Sequence, residues 1–281
     1  MLAFNHLGKL GRLGNQMFQY ASLRGIAATR GYEFGIPPVN YKNEWEDHQL
    51  LEVFELPHLN RNNIKLLDMG HAPVAQESSF AYQPILHEMC PNDVSLWGFF
   101  QSPKYFDHIA SSIREDFTFR EHILKPCKES FNFENAISLH VRRTDYLTNS
   151  ANHYNLGLDY YRDALVWYDD PENEKRPVIV FSDDPEWCKQ QEVFSSDRFV
   201  VSESGDNAID LCLMSMCTSH IIANSSFSWW GAWLADSKDV YYPARWFGPA
   251  IGTGKNQMDI VCEHWKMIGE MLDPEGKDID G

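Results

Sequence analysis

Between residues 136 and 242 short apolar runs alternate with helical segments, and that alternation leaves few folds open to the chain. Ala136–Val141 reads as a strand and Tyr160–Tyr168 as a helix. Pro177–Phe181 is continuously apolar, as a strand buried on both faces must be. Pro185–Gln191 opens a helix with proline in its first turn. Phe199–Val201, Ala208–Cys217, His220–Ala223, Ser228–Leu234 and Val240–Tyr242 continue as strand, helix, strand, helix, strand. This repetition predicts a parallel sheet with helices on both faces. In such a sheet ligands sit in the loops that follow the carboxyl ends of the strands. Functional residues are therefore expected directly after the apolar runs.

The first half is less regular. Gly8, Gly11 and Gly14 punctuate a loop, and Asn15–Arg30 then reads as a helix stopped by Gly31. Val94–Phe100 is expected to be a strand, Lys104–Phe117 a helix and Cys127–Asn135 a connection, while residues 35–95 carry no clear period. At 281 residues the chain can build one large domain or two ordinary ones.

Several classes are excluded. No run of about 18 apolar residues spans a bilayer; the best stretch, 211–235, is broken by His220, Asn224 and serines. The first fourteen residues lack the apolar core of a secretion signal, so a cytoplasmic protein is expected. Six scattered cysteines with no C-x-x-C point to free buried thiols, not to a disulfide or zinc scaffold. With 24 Lys and Arg against 40 Asp and Glu, the formal charge is −16, which excludes a general binder of nucleic acid or anionic membrane. The more acidic half, from residue 141 on, holds 12 basic and 24 acidic residues, yet it carries the one adjacent arginine pair, Arg142-Arg143.

That pair belongs to the sharpest constellation, Ile137–Tyr146. On a strand Ile137, Leu139 and Val141 point one way, and Ser138, His140 and Arg142 the other. The strand end thus delivers an imidazole and a guanidinium to one spot, with Asp145 placed to orient an arginine. A guanidinium fork holds phosphate oxygens bidentately and keeps its proton, as a diphosphate leaving group requires; an inert surface ion pair is the plainer alternative. Ser182-Asp183-Asp184-Pro185 follows the apolar strand. Asp184 suits a helix cap, which leaves Asp183 free for a guanine edge, and a carboxylate pair holding Mg²⁺ is a third option. Asn224–Ser228 runs into a helix start that offers hydroxyls and free N–H groups to an anion, or merely caps the helix. Gly11–Gln16 is a glycine loop before a helix, without the ending of a Walker loop. Trp229 and Trp230 are expected in the core. Asp278 and Asp280 form a D-x-D in an acidic tail.

Taken together and in order, GRLGNQMFQYA (11–21), LWGFFQSPKYF (96–106), HVRRTDY (140–146), HYNLGLDYY (153–161), FSDDPEW (181–187), IIANSSFSWWGAWL (221–234) and RWFGPA (245–250) resemble the α-1,2-fucosyltransferases of glycosyltransferase family eleven, in the form of a soluble bacterial-type member. The wider superfamily shares H-x-R-R-x-D; many relatives have Gly where this chain has Thr144, and Thr occurs there in related α-1,6 enzymes.

The resemblance implies an α/β, GT-B-like fold: two Rossmann-like domains facing across a cleft. Residues 1–130 would form the acceptor side and 131–281 the GDP-fucose-binding domain, with the last helix able to return to the first domain. It implies an inverting transfer of L-fucose from GDP-β-L-fucose to the 2-OH of a terminal galactoside, forming an α-1,2 linkage. GDP-fucose would be a co-substrate, with no cofactor and no metal. The partners would be GDP-fucose and a galactose-terminated glycan. Arg142 would take the β-phosphate, supported by Arg143 and by Asn224, Ser225, Ser226, Phe227 and Ser228. His140 would contact diphosphate or ribose, Asp183 beside Ser182 would read guanine, and Gly14, Asn15 and Gln16 would close from the other domain. The base that deprotonates the acceptor stays open among Asp145, His153 and Glu77. A superfamily enzyme with another linkage (α-1,6 or protein O-linked) or another GDP-sugar, and a non-catalytic carbohydrate-binding protein, are the alternatives.

Overall fold

The computed structural model describes residues 1–39, 48–169, 175–252 and 255–269. Asp278 and Asp280 lie outside the described residues. The chain forms two compact units, one of residues 1–121 with 258–262 and the other of residues 122–257 with 263–281. The division falls ahead of the expected 130/131, at the start of the helix Glu121–Ser130, which takes in the first four residues of the connection expected over Cys127–Asn135.

The first unit carries four parallel strands, β1 (Leu2–Ala3), β2 (Phe34–Gly35), β3 (Val74–Gln76) and β4 (Ser95–Trp97), in the order β2-β1-β4-β3. None is longer than three residues, too short for a hydrophobic period to show in sequence. The helix Leu13–Arg30 begins two residues ahead of the expected start, so Asn15 lies inside its first turn. Its stop is the expected one. Gly31 takes φ 65, a left-handed turn that costs glycine nothing, and the N–H groups of Gly31 and Tyr32 donate to the carbonyls of Ala28 and Ala27. The expected helix Lys104–Phe117 is divided into two 3-10 turns and the helix Ala110–Asp116.

The second unit is a six-stranded, wholly parallel sheet. Its strands are β5 (Ile137–Val141), β6 (Val178–Ser182), β7 (Phe199–Val201), β8 (Ser219–Ile221), β9 (Val240–Pro243) and β10 (Lys266–Ile268). The order is β10-β9-β8-β5-β6-β7. The sheet grows from β5 through β6 to β7 on one side and from β8 through β9 to β10 on the other. The topology therefore reverses between β5 and β8, where open parallel sheets bind their ligands. The expected alternation holds: Ile137, Leu139 and Val141 share one apolar face with Tyr161, Leu165 and Cys188. Ile179 and Phe181 lie in the opposite layer with Met214 and Cys217. Trp229 and Trp230 are fully buried, and all six cysteines are free. Among the described residues, no helix is long and apolar enough to cross a membrane.

Candidate functional site

The site of the second unit is assembled by the loops after β5, β6 and β8. β5 ends at Val141, and the next two residues carry the guanidiniums. Arg142 is pinned from two sides: Nη2 donates to Asp145 Oδ1, and Nη1 lies 3.3 Å from Asp183 Oδ2. Its guanidinium carbon lies 5.2 Å from the centre of the Tyr146 ring. Its remaining donor, Nε, is buried without a partner. Arg143 turns the other way. Its backbone N–H donates to Asp183 Oδ1 (2.9 Å), its Nε donates to Asp184 Oδ2 (3.1 Å), and its guanidinium lies 3.6 Å from the centre of the Trp187 ring. Asp145 thus orients an arginine, as expected.

Asp183 does not stand free. Oδ1 accepts the Arg143 N–H, while Oδ2 accepts from the Thr144 hydroxyl and faces Arg142. The carboxylate is drawn into the β5 loop because three donors converge there, a demand invisible in the spacing of Asp183 itself. Asp184 is the helix cap that was expected, with Oδ1 accepting the Trp187 N–H. Ser182 Oγ accepts the Asp184 N–H and so shapes the same turn.

β8 contributes the third loop. Ser225 caps the helix Ser226–Leu234, its Oγ accepting the Phe227 N–H. Ser228 Oγ lies 2.9 Å from His140 Nδ1, a hydrogen bond that spans β5 and β8 where the topology reverses. Burial, with the Arg142 charge second, pushes the His140 pKa down to about 3, so the imidazole is neutral. The Nδ2 of Asn224 holds loops together by donating to the carbonyls of Tyr154 (2.8 Å) and Trp246 (2.7 Å), an anchoring role beside the expected one. His153 stacks on Tyr146 with ring centres 4.0 Å apart, and burial lowers its pKa. Tyr146 donates to the Asn224 carbonyl, and burial pushes its pKa up to about 12.

Sequence reasoning missed Tyr146, Thr144 and Trp187. The first two lie inside the quoted HVRRTDY motif; Trp187 stands three residues after the cap Asp184, where a helix brings it back over the turn.

A cavity of about 440 Å3 lies beside the ends of β9 and β10, lined among others by Tyr154, Asp159, Tyr160, Asp163 and Arg245. Arg245 lies over Tyr154 and donates to its hydroxyl (3.3 Å), and two aspartates charge the wall negatively. This environment disfavours a diphosphate, whereas the β5 loop holds an unpartnered buried guanidinium N–H.

The remaining expected residues belong to the first unit. Gln16 Oε1 accepts the Gln49 N–H (2.9 Å), and Asn15 Oδ1 accepts from Gln101 Nε2 (2.6 Å). Gly14 is buried in the same helix start. Glu77 follows β3, and its Oε2 accepts the N–H groups of Phe99 (2.8 Å) and Phe100 (3.0 Å). Burial pushes its pKa up to about 7 against those two hydrogen bonds. Among the described residues, no group of three or more His, Cys, Asp or Glu is gathered as a metal centre would need.

Comparison with known proteins agrees with this geometry. A stretch of 83 residues is 39% identical to the O-antigen biosynthesis glycosyltransferase WbnK of Escherichia coli, covering 28% of this chain and 26% of that protein. Another of 87 residues is 42% identical to an α-1,2-colitosyltransferase of Escherichia coli, covering 29% of each. These matches span little more than a quarter of either relative. The fold is similar to that of the fucosyltransferase NodZ from Bradyrhizobium, with a TM-score of 0.53 at 14% identity over 82% of this chain and 91% of that one. The two parallel α/β units are thus of the GT-B kind. The family model described as glycosyl transferase family 11 matches residues 82–248, more than half of the chain and the whole of the arginine-bearing site. The chain belongs to glycosyl transferase family 11.

Proposed function

We propose that the protein transfers L-fucose from GDP-β-L-fucose to the 2-OH of a terminal galactoside, with inversion to an α-1,2 linkage and without a metal. The observation that carries this reading is the buried, unpartnered Nε of Arg142, beside the His140–Ser228 pair where the sheet topology reverses. As the bond from sugar C1 to the phosphate oxygen lengthens, negative charge grows on the leaving diphosphate. Fixed donors aimed at that charge stabilise the transition state. Arg142 supplies them, with Arg143 and the start of the helix Ser226–Leu234 in support.

Three carboxylates already surround the arginine pair, so a diphosphate must displace one of them. Asp145 is the replaceable partner: its side chain is 48% exposed, against 16% for Asp183. Asp183 holds the turn in shape, and a guanine edge would have to share its Oδ1. Neutral His140 offers the ligand no charge; its part is to hold Ser228 and the β8 loop in register with β5.

One similar protein is named for colitose transfer, which supports a second reading with another GDP-sugar as donor. A panel of GDP-sugars against lactose, N-acetyllactosamine and galacto-N-biose, with linkage analysis of each product, separates the two. Fucose transferred to the galactose 2-OH, undiminished by chelator, is expected. Turnover of another GDP-sugar alone gives the second reading, and loss of activity in chelator removes the metal-free mechanism.

A further inference from the structure

The first unit carries a cluster of metal-ligating side chains at the C-terminal end of the helix Leu13–Arg30. Thr29, in the last turn of that helix, sets its Oγ1 2.9 Å from His87 Nε2 and 3.1 Å from His108 Nε2. His87 lies on the helix Pro84–Glu88 and His108 in the 3-10 turn Asp107–Ile109. Two imidazoles from separate segments thus aim the same ring nitrogen at one point. Behind the first of them, Tyr82 Oη lies 2.6 Å from His87 Nδ1. Thr29 alone does not require this arrangement, since its hydroxyl has one proton to give and either histidine can accept it.

An imidazole binds Zn²⁺ through one nitrogen at about 2.0–2.1 Å, and two of them on a tetrahedral ion put their ring centres about 5 Å apart. The ring centres of His87 and His108 are 5.2 Å apart. The rings are therefore spaced for one shared ion, seated closer to the two nitrogens than Thr29 Oγ1 is. A ligating histidine gives its other ring N–H to a partner that fixes tautomer and ring orientation. Tyr82 Oη is such a partner for His87, accepting from Nδ1–H when Nε2 holds the metal. Burial, with the charge of His108 second, lowers the His87 pKa and so favours the neutral form that ligates. Among the described residues no third His, Cys, Asp or Glu joins the pair. Thr29 Oγ1 and water are left to fill the other positions, as in an exchangeable site.

We propose that His87 Nε2 and His108 Nε2 together bind a late first-row divalent ion such as Zn²⁺, and that Tyr82 positions the His87 ring. Imidazole suits such ions, whereas Mg²⁺ and Ca²⁺ prefer carboxylate and carbonyl oxygen. The ion fastens the end of the helix Leu13–Arg30 to segments that follow Thr29 by 58 and 79 positions. A clip that closes loops of this length stabilises the fold of the first unit. It has no part in sugar transfer, so the inference stands apart from that reading and leaves the chelator test of the reaction unchanged.

The test titrates the whole chain, free of tags and stripped with chelator, with ZnCl₂ in a calorimeter at about pH 7.5, where an ordinary imidazole is neutral. Wild type should bind one equivalent and gain in Tm, because the ion binds the folded state. MgCl₂ should do neither. His87→Ala and His108→Ala should each weaken Zn²⁺ binding by about tenfold or more and abolish the gain in Tm. Tyr82→Phe keeps both ligands and should still weaken binding by about tenfold. No Zn²⁺ binding by wild type, or affinity kept within about twofold in His87→Ala or His108→Ala, overturns the proposal. Should either variant fail to fold, the wild type decides. Saturating Zn²⁺ should shield both His87 and His108 from acylation by diethyl pyrocarbonate, read peptide by peptide by mass spectrometry. Equal acylation of either histidine with and without Zn²⁺ overturns the proposal.

Discussion

Arg142 carries the heaviest chemical demand of any single residue. Arg142→Ala should lower kcat/KM by about 10²- to 10³-fold, or about 3–4 kcal/mol of transition-state stabilisation. Arg142→Lys should recover little of it, because an ammonium restores the charge but neither the fork nor the Nε donor. Near-wild-type turnover in a folded Arg142→Ala protein would remove the phosphate role. Asp145 gives the opposite sign. If a diphosphate displaces it from Arg142, Asp145→Asn should tighten GDP binding by up to about fivefold, the worth of an exposed ion pair. Calorimetry that finds weaker binding would show that Asp145 supports the ligand instead of competing with it. At this scale much of the site was legible. Arg142, Arg143 and Asp145 could be placed from strand alternation and loop spacing, because those are local rules. The engagement of Asp183 was not, since its partners lie some forty positions earlier in the chain.

At the scale of elements, the alternating pattern of residues 136–242 predicted five parallel strands and four helices, and all of them are found, with no end moved by more than two residues. β10 and the helix Glu121–Ser130 were missed, the latter because Pro126 inside it reads as a breaker. In the first unit β1, β2 and β3 stayed illegible for another reason: strands of two or three residues are paired by neighbours distant in sequence. The β8 loop shows how elements are tied together. Asn224→Ala removes two hydrogen bonds and strands the Tyr154 and Trp246 carbonyls, so it should cost about 2 kcal/mol or more in urea unfolding. An unchanged midpoint would show that water replaces the amide at no cost.

For the whole molecule, acid should be the damaging side. His140 and His220 are both buried, and burial pushes each pKa down to about 3 from an ordinary 6.5. Both are therefore neutral in the folded protein, while the unfolded chain takes up their protons below about pH 6.5. Their contribution is present above that pH and is lost as pH falls toward 3, at up to about 1.4 kcal/mol per pH unit for each histidine. Urea midpoints measured from pH 7 down to 4 should fall steeply, and His220→Gln should lose part of that slope. A variant slope equal to wild type would mean that His220 is not a neutral, buried group in the native state.

The sequence by itself determined the parallel α/β character of the second half, the strand ends where chemistry would gather, and the order of motifs that marks the family. Those properties follow from side-chain periodicity and spacing, which act over a few residues. The tertiary structure alone decided which strands became neighbours, and hence that His140 meets Ser228 across the reversal of the sheet. It also decided that Asp183 serves the arginine turn, that Asn224 binds loops together, and that Glu77 is clasped by the residues after β4. Hydrogen bonding and burial are satisfied across tens of residues of chain, so no local pattern can specify them.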